Sequence, residues 1–231
     1  MKAAPPRALT RAQHGLSMVE LLVGAAVALF VAAAGTALFA GNLRESRQLL
    51  LEARLMQDLR TAVDIASRDL RRAGYWSGAT DGVWGPGASA VAANPYAAIA
   101  PGNAASDAVG LRYSRDATEN NAVDSNEQFG FRLRNGALEI QLGAGNWQAL
   151  TDTGTLTVTA FSITPTVQDL SLDAFCARPC PAGSTSCPPH QQVRSLALAI
   201  SGRLVVDTSI TRSVRSQVRL RNDLVTGACA S

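Results

Sequence analysis

The chain has 231 residues, which at roughly 100 to 200 residues per domain allows one globular domain with appendages or two small domains, and excludes a large multidomain enzyme. Hydrophobic residues make up 47% and charged residues 17%, apolar enough to bury a core and too poorly charged for a disordered chain. The net charge of +3 comes from Lys2, Arg7 and Arg11 at the start; the rest balances 18 basic against 18 acidic residues, so bulk charge does not make it a polyanion binder and any nucleic acid contact needs a local patch.

The first element in chain order is an uncharged run from Leu21 to Ala40, LLVGAAVALFVAAAGTALFA. At about 1.5 Å per residue its length spans a hydrocarbon core of about 30 Å. A secretory signal peptide would have a shorter apolar region, about 7 to 15 residues, and a small-residue cleavage site after it. Here an amphipathic pattern continues directly out of the run. Charge does not orient the span, because Lys2, Arg7 and Arg11 precede it while Arg44, Arg47 and Arg54 follow closely.

Between the basic leader and the apolar run lies Gly15-Leu16-Ser17-Met18-Val19-Glu20. A carboxylate such as Glu20 at the edge of a membrane helix is a functional candidate by default, since an unpaired charge at the centre costs about 2.5 to 3.5 kcal/mol. On these residues the chain resembles the type IV pilin family, with Leu16 in place of the phenylalanine usual there. The resemblance implies cleavage between Gly15 and Leu16 by prepilin peptidase on the cytoplasmic side, N-methylation of Leu16, and a body facing the periplasm. It implies also that Glu20 pairs with the new α-amino group, its own one turn away or that of an adjoining subunit, and so sets register during assembly.

Leu51, Leu55, Leu59, Ala62, Ala66, Leu70 and Ala73 then recur three or four apart, the period of an amphipathic helix. One helix is predicted from about Ser17 to about Ala73. Arg54, Asp58, Arg60, Asp64 and Arg68 form its solvated side, and Gly74 is a stop signal. The ending LRRAGYW, Leu70 to Trp76, resembles that of PilW-type minor pilins, with Tyr75 and Trp76 expected to plug the end of the core.

From Ser77 to Ser106 Gly, Ala, Pro and Ser dominate, which predicts a long surface loop. Phe129, Phe131 and Leu133 alternate up to Asn135-Gly136, and Leu138, Ile140 and Leu142 alternate back, predicting a two-residue hairpin with Leu133 opposite Leu138 and Phe131 opposite Ile140. Further strands are predicted at Val109 to Ser114, Leu156 to Ile163, Val193 to Ile200 and Ser213 to Leu220. A helix whose apolar stripe lies on an antiparallel sheet is an α+β architecture.

Cys176, Cys180, Cys187 and Cys229 are an even set, which suits two disulfides in an oxidising compartment, with three pairings open. A zinc cluster with His190 lacks the paired spacing of a ribbon. The run Asp116 to Glu127 offers hard oxygen donors for calcium, but without the glycine and ligand order of an EF-hand it reads as a polar connection. Arg215, Arg219 and Arg221 share one parity of a strand, a ridge that could touch DNA phosphates but is more simply explained as protection of a sheet edge. No phosphate loop, nucleophile elbow, HExxH or paired-acid motif occurs, so no catalytic residue, cofactor or metal is assigned.

The reading is an α+β, pilin-like chain: a leader at 1–15, a transmembrane half-helix at 16–40, an amphipathic half at 41–76 packed on an antiparallel sheet, and a periplasmic β-rich head at 77–231. The resemblance implies a minor pilin of a type IV pilus held in the inner membrane, then in the filament or at its tip. Adhesion, twitching motility or DNA uptake would be its contribution. Expected partners are other minor and major pilins, prepilin peptidase, the inner-membrane assembly platform and membrane lipid, with DNA less favoured. A minor pseudopilin of a type II secretion system shares these features, and a membrane-anchored periplasmic enzyme or receptor is the alternative of another class.

Overall fold

The computed structural model describes residues 17–83 and 92–230. Two compact units are present, Met1–Leu50 and Leu51–Ser231. Helix α1, Met18–Arg72, begins in the first and ends in the second. Every described residue of the first unit is exposed, including Met18, Phe30 and Phe39, and this part makes α1 long and apolar enough to cross a membrane.

In the second unit α1 turns Leu55, Leu59, Ala62, Ala66 and Leu70 inward, all buried, while Arg54, Arg60, Asp64 and Arg68 stay exposed and Asp58 is half-buried. The helix stops because Gly74 adopts φ +75° and donates its N–H to Arg112 O at 2.8 Å, a left-handed conformation that glycine adopts without a Cβ penalty. Its last carbonyls are satisfied from far along the chain. Asn222 Nδ2 donates to Ala73 O at 3.0 Å and Arg72 O at 3.3 Å, and the Arg221 N–H donates to Arg71 O at 3.2 Å.

Two antiparallel sheets, rather than the single one expected, complete the α+β fold. The first orders β1 (Ala108–Arg112), β2 (Gln128–Arg134), β3 (Ala137–Leu142) and β4 (Trp147–Ala149) consecutively. Its hairpin has the predicted register, Phe131 opposite Ile140 and Leu133 opposite Leu138. Asn135 and Gly136 both have positive φ, 51° and 76°, as a tight primed turn requires. The second sheet joins β5 (Leu156–Ser171), β6 (His190–Leu204) and β7 (Thr211–Arg219), with β8 (Leu224–Thr226) pairing β6 beyond the end of β7.

Strands β5 and β6 are longer than the alternation suggested. Between Val158 and Ala160 the register shifts, so that Leu156 and Val158 face inward before the bulge and Phe161 and Ile163 after it. Pro165 is tolerated because β5 lies at a sheet edge. Strands β4 and β8 have three residues each, too short for an alternation to mark them, and owe their conformation to the strands they pair.

Helix and both sheets share one core that holds Leu55, Leu59 and Leu70 with Phe129, Phe131 and Leu138 of the first sheet and Leu198, Ile200 and Val218 of the second. Trp76 is buried as expected, but Tyr75 is 49% exposed, so only the tryptophan closes this end. The long connection after it is not wholly superficial, since Tyr96 is fully buried. Gly130 marks the tightest spot in the first sheet: a Cβ there would sit 2.5 Å from Val109 O. Gly130→Ala is expected to destabilise the head by about 1–3 kcal/mol, read as a lowered urea midpoint.

Candidate assembly site

Ser17 opens α1: its Oγ accepts the Val19 N–H at 3.2 Å, and its carbonyl accepts the Leu21 N–H at 3.1 Å. Glu20 stands in the first turn, where a carboxylate is favoured by the helix dipole. It is exposed, and among the described residues no cation lies within salt-bridge distance of it. Gly15 and Leu16 lie outside the described residues.

All four cysteines lie in the second unit, where Cys176 is bonded to Cys229 and Cys180 to Cys187. The first bond fastens the C-terminal tail to the segment that follows β5. β8 and an Ala228 N–H donated to Ser186 O at 2.8 Å hold the same tail. The second closes a short loop within the first. With every sulfur in a disulfide, no thiolate remains for the zinc reading, and His190 Nδ1 instead meets Asp169 Oδ1 across the β5–β6 pair at 2.5 Å. That contact holds the Asp169 carboxyl below its ordinary value.

The carboxylates of 116–127 serve the loop itself. Asp116, Asp124 and Glu127 come within 4.8 Å of one another, yet buried Glu127 already accepts the Arg115 N–H at 2.6 Å and the Asp124 N–H at 2.9 Å. Glu119 ties three segments together, accepting from Ser77 Oγ at 2.8 Å, from the Asn121 N–H at 3.0 Å and from the Tyr96 hydroxyl at 3.0 Å. Burial pushes the Glu119 carboxyl up, but the hydrogen bonds from Ser77, Ser114, Asn121 and Tyr96 outweigh it and hold the group at about 2. Trp76 Nε1 donates to Asn121 Oδ1 at 2.8 Å on the same loop.

Arg215 and Arg219 of β7 are exposed as the alternation predicts, with Arg219 Nη2 3.1 Å from Asp223 Oδ2, whereas Arg221 is exposed beyond the end of the strand. A feature not anticipated is an open concavity of about 460 Å³ at the end of α1, lined by Ile65, Arg68, Asp69, Arg71, Arg72 and Arg221. Arg68, Arg71 and Arg72 recur at helical spacing in the sequence, but Arg221 joins them only because its backbone closes the helix end. Burial raises the Asp69 carboxyl, and nearby Arg72 and Arg68 oppose that rise.

A long N-terminal helix, apolar and exposed in its first part and packed through its second part on antiparallel sheets, defines a pilin-related protein. The family model of prepilin peptidase-dependent protein B matches residues 48–220, and the chain belongs to that family. No curated protein and no solved structure matches it significantly.

Two consequences of this geometry can be measured. The Cys176–Cys229 bond spans 53 residues and Cys180–Cys187 spans 7. Loop-closure entropy then predicts a loss of about 4 kcal/mol for replacing the first pair by serine and about 2.4 kcal/mol for the second, compared through denaturant midpoints of the two double variants. Because the folded Glu119 carboxyl lies below its ordinary 4.5, its contribution is full above that pH and is lost as the pH falls toward 2. Glu119→Gln is expected to lower stability at pH 7 and to flatten the acid limb of a stability-against-pH curve.

Proposed function

We propose that this chain is a non-enzymatic minor pilin of a type IV pilus, made as a precursor and held in the inner membrane until it joins the filament or its tip. The observation that carries the reading is the coupling of an unburied apolar helix to a single early carboxylate. From Ser17 to Leu50 nothing in the described chain covers α1, so lipid or the helices of other subunits must take up its apolar surface. Within this stretch Glu20 is the acid placed at the start of the apolar run, and a charge in that setting demands a cation.

Removal of the leader supplies one. Cleavage between Gly15 and Leu16 by prepilin peptidase leaves an ammonium on Leu16, which N-methylation keeps basic. On a neighbouring subunit that ammonium neutralises Glu20 and fixes the axial register as protomers stack. Membership in the prepilin peptidase-dependent family supports this processing. Other minor and major pilins and the inner-membrane assembly platform are the partners. The disulfide-stapled head faces the periplasm, where its bonds persist, and adhesion, twitching motility or DNA uptake is the activity such a subunit serves.

Co-expression with prepilin peptidase tests the reading. The wild-type chain is expected to lose its first fifteen residues and gain one methyl group by mass spectrometry, while Gly15→Val stays uncut and absent from sheared fibres. Glu20→Ala is expected to insert and be cleaved normally yet fall at least tenfold in sheared filaments. An uncut wild-type chain, or full incorporation of Glu20→Ala, refutes it.

A further inference from the structure

Among the described residues the sheet edges are blocked, interrupted or very short, with one exception. At the edge of β1, Gly110 exchanges both backbone hydrogen bonds with Ala100, at 2.9 and 3.0 Å. On β5, Ile163 exchanges two with Ser106, at 2.8 and 3.0 Å, the Val158 N–H donates to Gly136 O at 2.7 Å, and Pro165 has no N–H to offer. Strands β4 and β8 have three residues each. Strand β7 is different: its nine residues keep an unbroken register with β6 and include no proline.

The Leu220 N–H donates to Arg194 O at 3.0 Å and the Leu204 N–H to Ile210 O at 3.2 Å, which places the even-numbered residues of β7 in the pairs that bond β6. The odd-numbered residues Thr211, Ser213, Arg215, Gln217 and Arg219 therefore aim their N–H and C=O groups away from the sheet. All five are exposed. Thr211 O accepts from Arg212 Nη1 at 2.8 Å, but the outward backbone groups of Ser213, Arg215, Gln217 and Arg219 have no protein partner among the described residues. At about 3.4 Å per residue the strand offers about 30 Å of open ladder, a template on which another extended chain can pair.

Side chains decide what pairs there. The odd-numbered residues of β7 share the outer face, and behind Ser213, Arg215, Gln217 and Arg219 the rows across β6 and β5 hold only Ser, Thr and Ala. Arg219 meets Asp223 beyond the strand, whereas Arg215 makes no ion pair among the described residues. A second copy is a poor occupant. Antiparallel registers that overlap most of two β7 strands set an arginine of one copy opposite or diagonal to an arginine of the other, and like charges so placed repel. A strand with carboxylates on that face meets arginine instead, while its alternate residues fall on the inner side, where Val218 is buried and Val214 half-buried against the core.

We propose that β7 accepts an extended segment of another protein as a further strand of the second sheet, a segment that alternates carboxylate-bearing residues on the face of Arg215 and Arg219 with apolar residues on the other face. Backbone hydrogen bonds supply the affinity and the arginines select the sequence. The inference concerns the head alone and holds whether or not the leader is cleaved.

The test uses the full chain in detergent micelles and a labelled synthetic peptide of about nine residues that alternates valine with threonine and glutamate, its two glutamates four positions apart. Binding is read by fluorescence anisotropy, and amide hydrogen exchange by NMR is expected to slow at Ser213, Arg215 and Gln217 on saturation while Val214 and Ser216 stay unchanged. Methylating one alternate set of peptide nitrogens is expected to cost about tenfold or more in affinity and methylating the other set less than about threefold, because only one set faces β7. Gln217→Pro removes an outward N–H that β6 does not use and is expected to abolish binding; the methylated peptides, tested on the wild-type chain, decide the matter should that variant fail to fold. Arg215→Glu is expected to bind the glutamate peptide about tenfold more weakly and to prefer a lysine counterpart. Absence of binding, equal losses for the two methylated sets, or exchange unchanged at the odd-numbered amides overturns the proposal. Self-association that Gln217→Pro abolishes also overturns it and assigns the edge to a second copy of this chain.

Discussion

The head depends on the burial of one helical stripe. Leu55, Leu59, Ala62, Ala66 and Leu70 are almost free of solvent and belong to the same core as the inner faces of both sheets. The sheets supply the rest of that core, Phe129, Phe131 and Leu138 from the first and Leu198 and Ile200 from the second. Gly202 shows how close the approach is: a Cβ there would stand 3.2 Å from Leu59 Cδ2. Exposed apolar surface in the first part of α1 and buried apolar surface in the second are thus two uses of one continuous helix, the first left for other molecules and the second for the chain's own sheets.

The C-terminal segment completes what the helix begins. Arg221 and Asn222 satisfy carbonyls at the end of α1, and Arg194 reaches across to bond Ala97 O and Asn222 O. A few residues later Cys229 is bonded to Cys176. The last part of the chain is therefore tied to the helix end, to the connection after Tyr96 and to the loop after β5. Loop closure in the unfolded chain is most restricted by the longer of the two disulfides, so the bond that holds the tail is also the one that favours the folded state more.

Charge is sorted by sign. Carboxylates such as Glu119 and Glu127 are drawn inward and used as acceptors for backbone N–H groups and hydroxyls, where a negative group with several donors is stabilised. Arg132 and Arg212 find acidic partners in Glu139 and Glu52. Arg68, Arg71 and Arg221 at the end of α1 and Arg215 of β7 make no side-chain ion pair among the described residues, although the composition balances.

Short-range pattern alone determined the elements whose residues set their own conformation. The three-to-four spacing of leucines and alanines specified the helix and its buried side, Gly74 its end, and Asn135-Gly136 the register of the hairpin, because each signal is a local rule of backbone geometry. Tertiary structure decided whatever requires residues distant in the chain to meet. Two sheets form instead of one, β5 continues through Pro165 because a sheet edge spares it a donor, and three-residue strands exist only beside their partners. Cys229 selects Cys176 from three possible pairings, and Arg221 comes to lie beside Arg68, Arg71 and Arg72. Such proximity depends on how the chain closes on itself, and local spacing carries no information about closure.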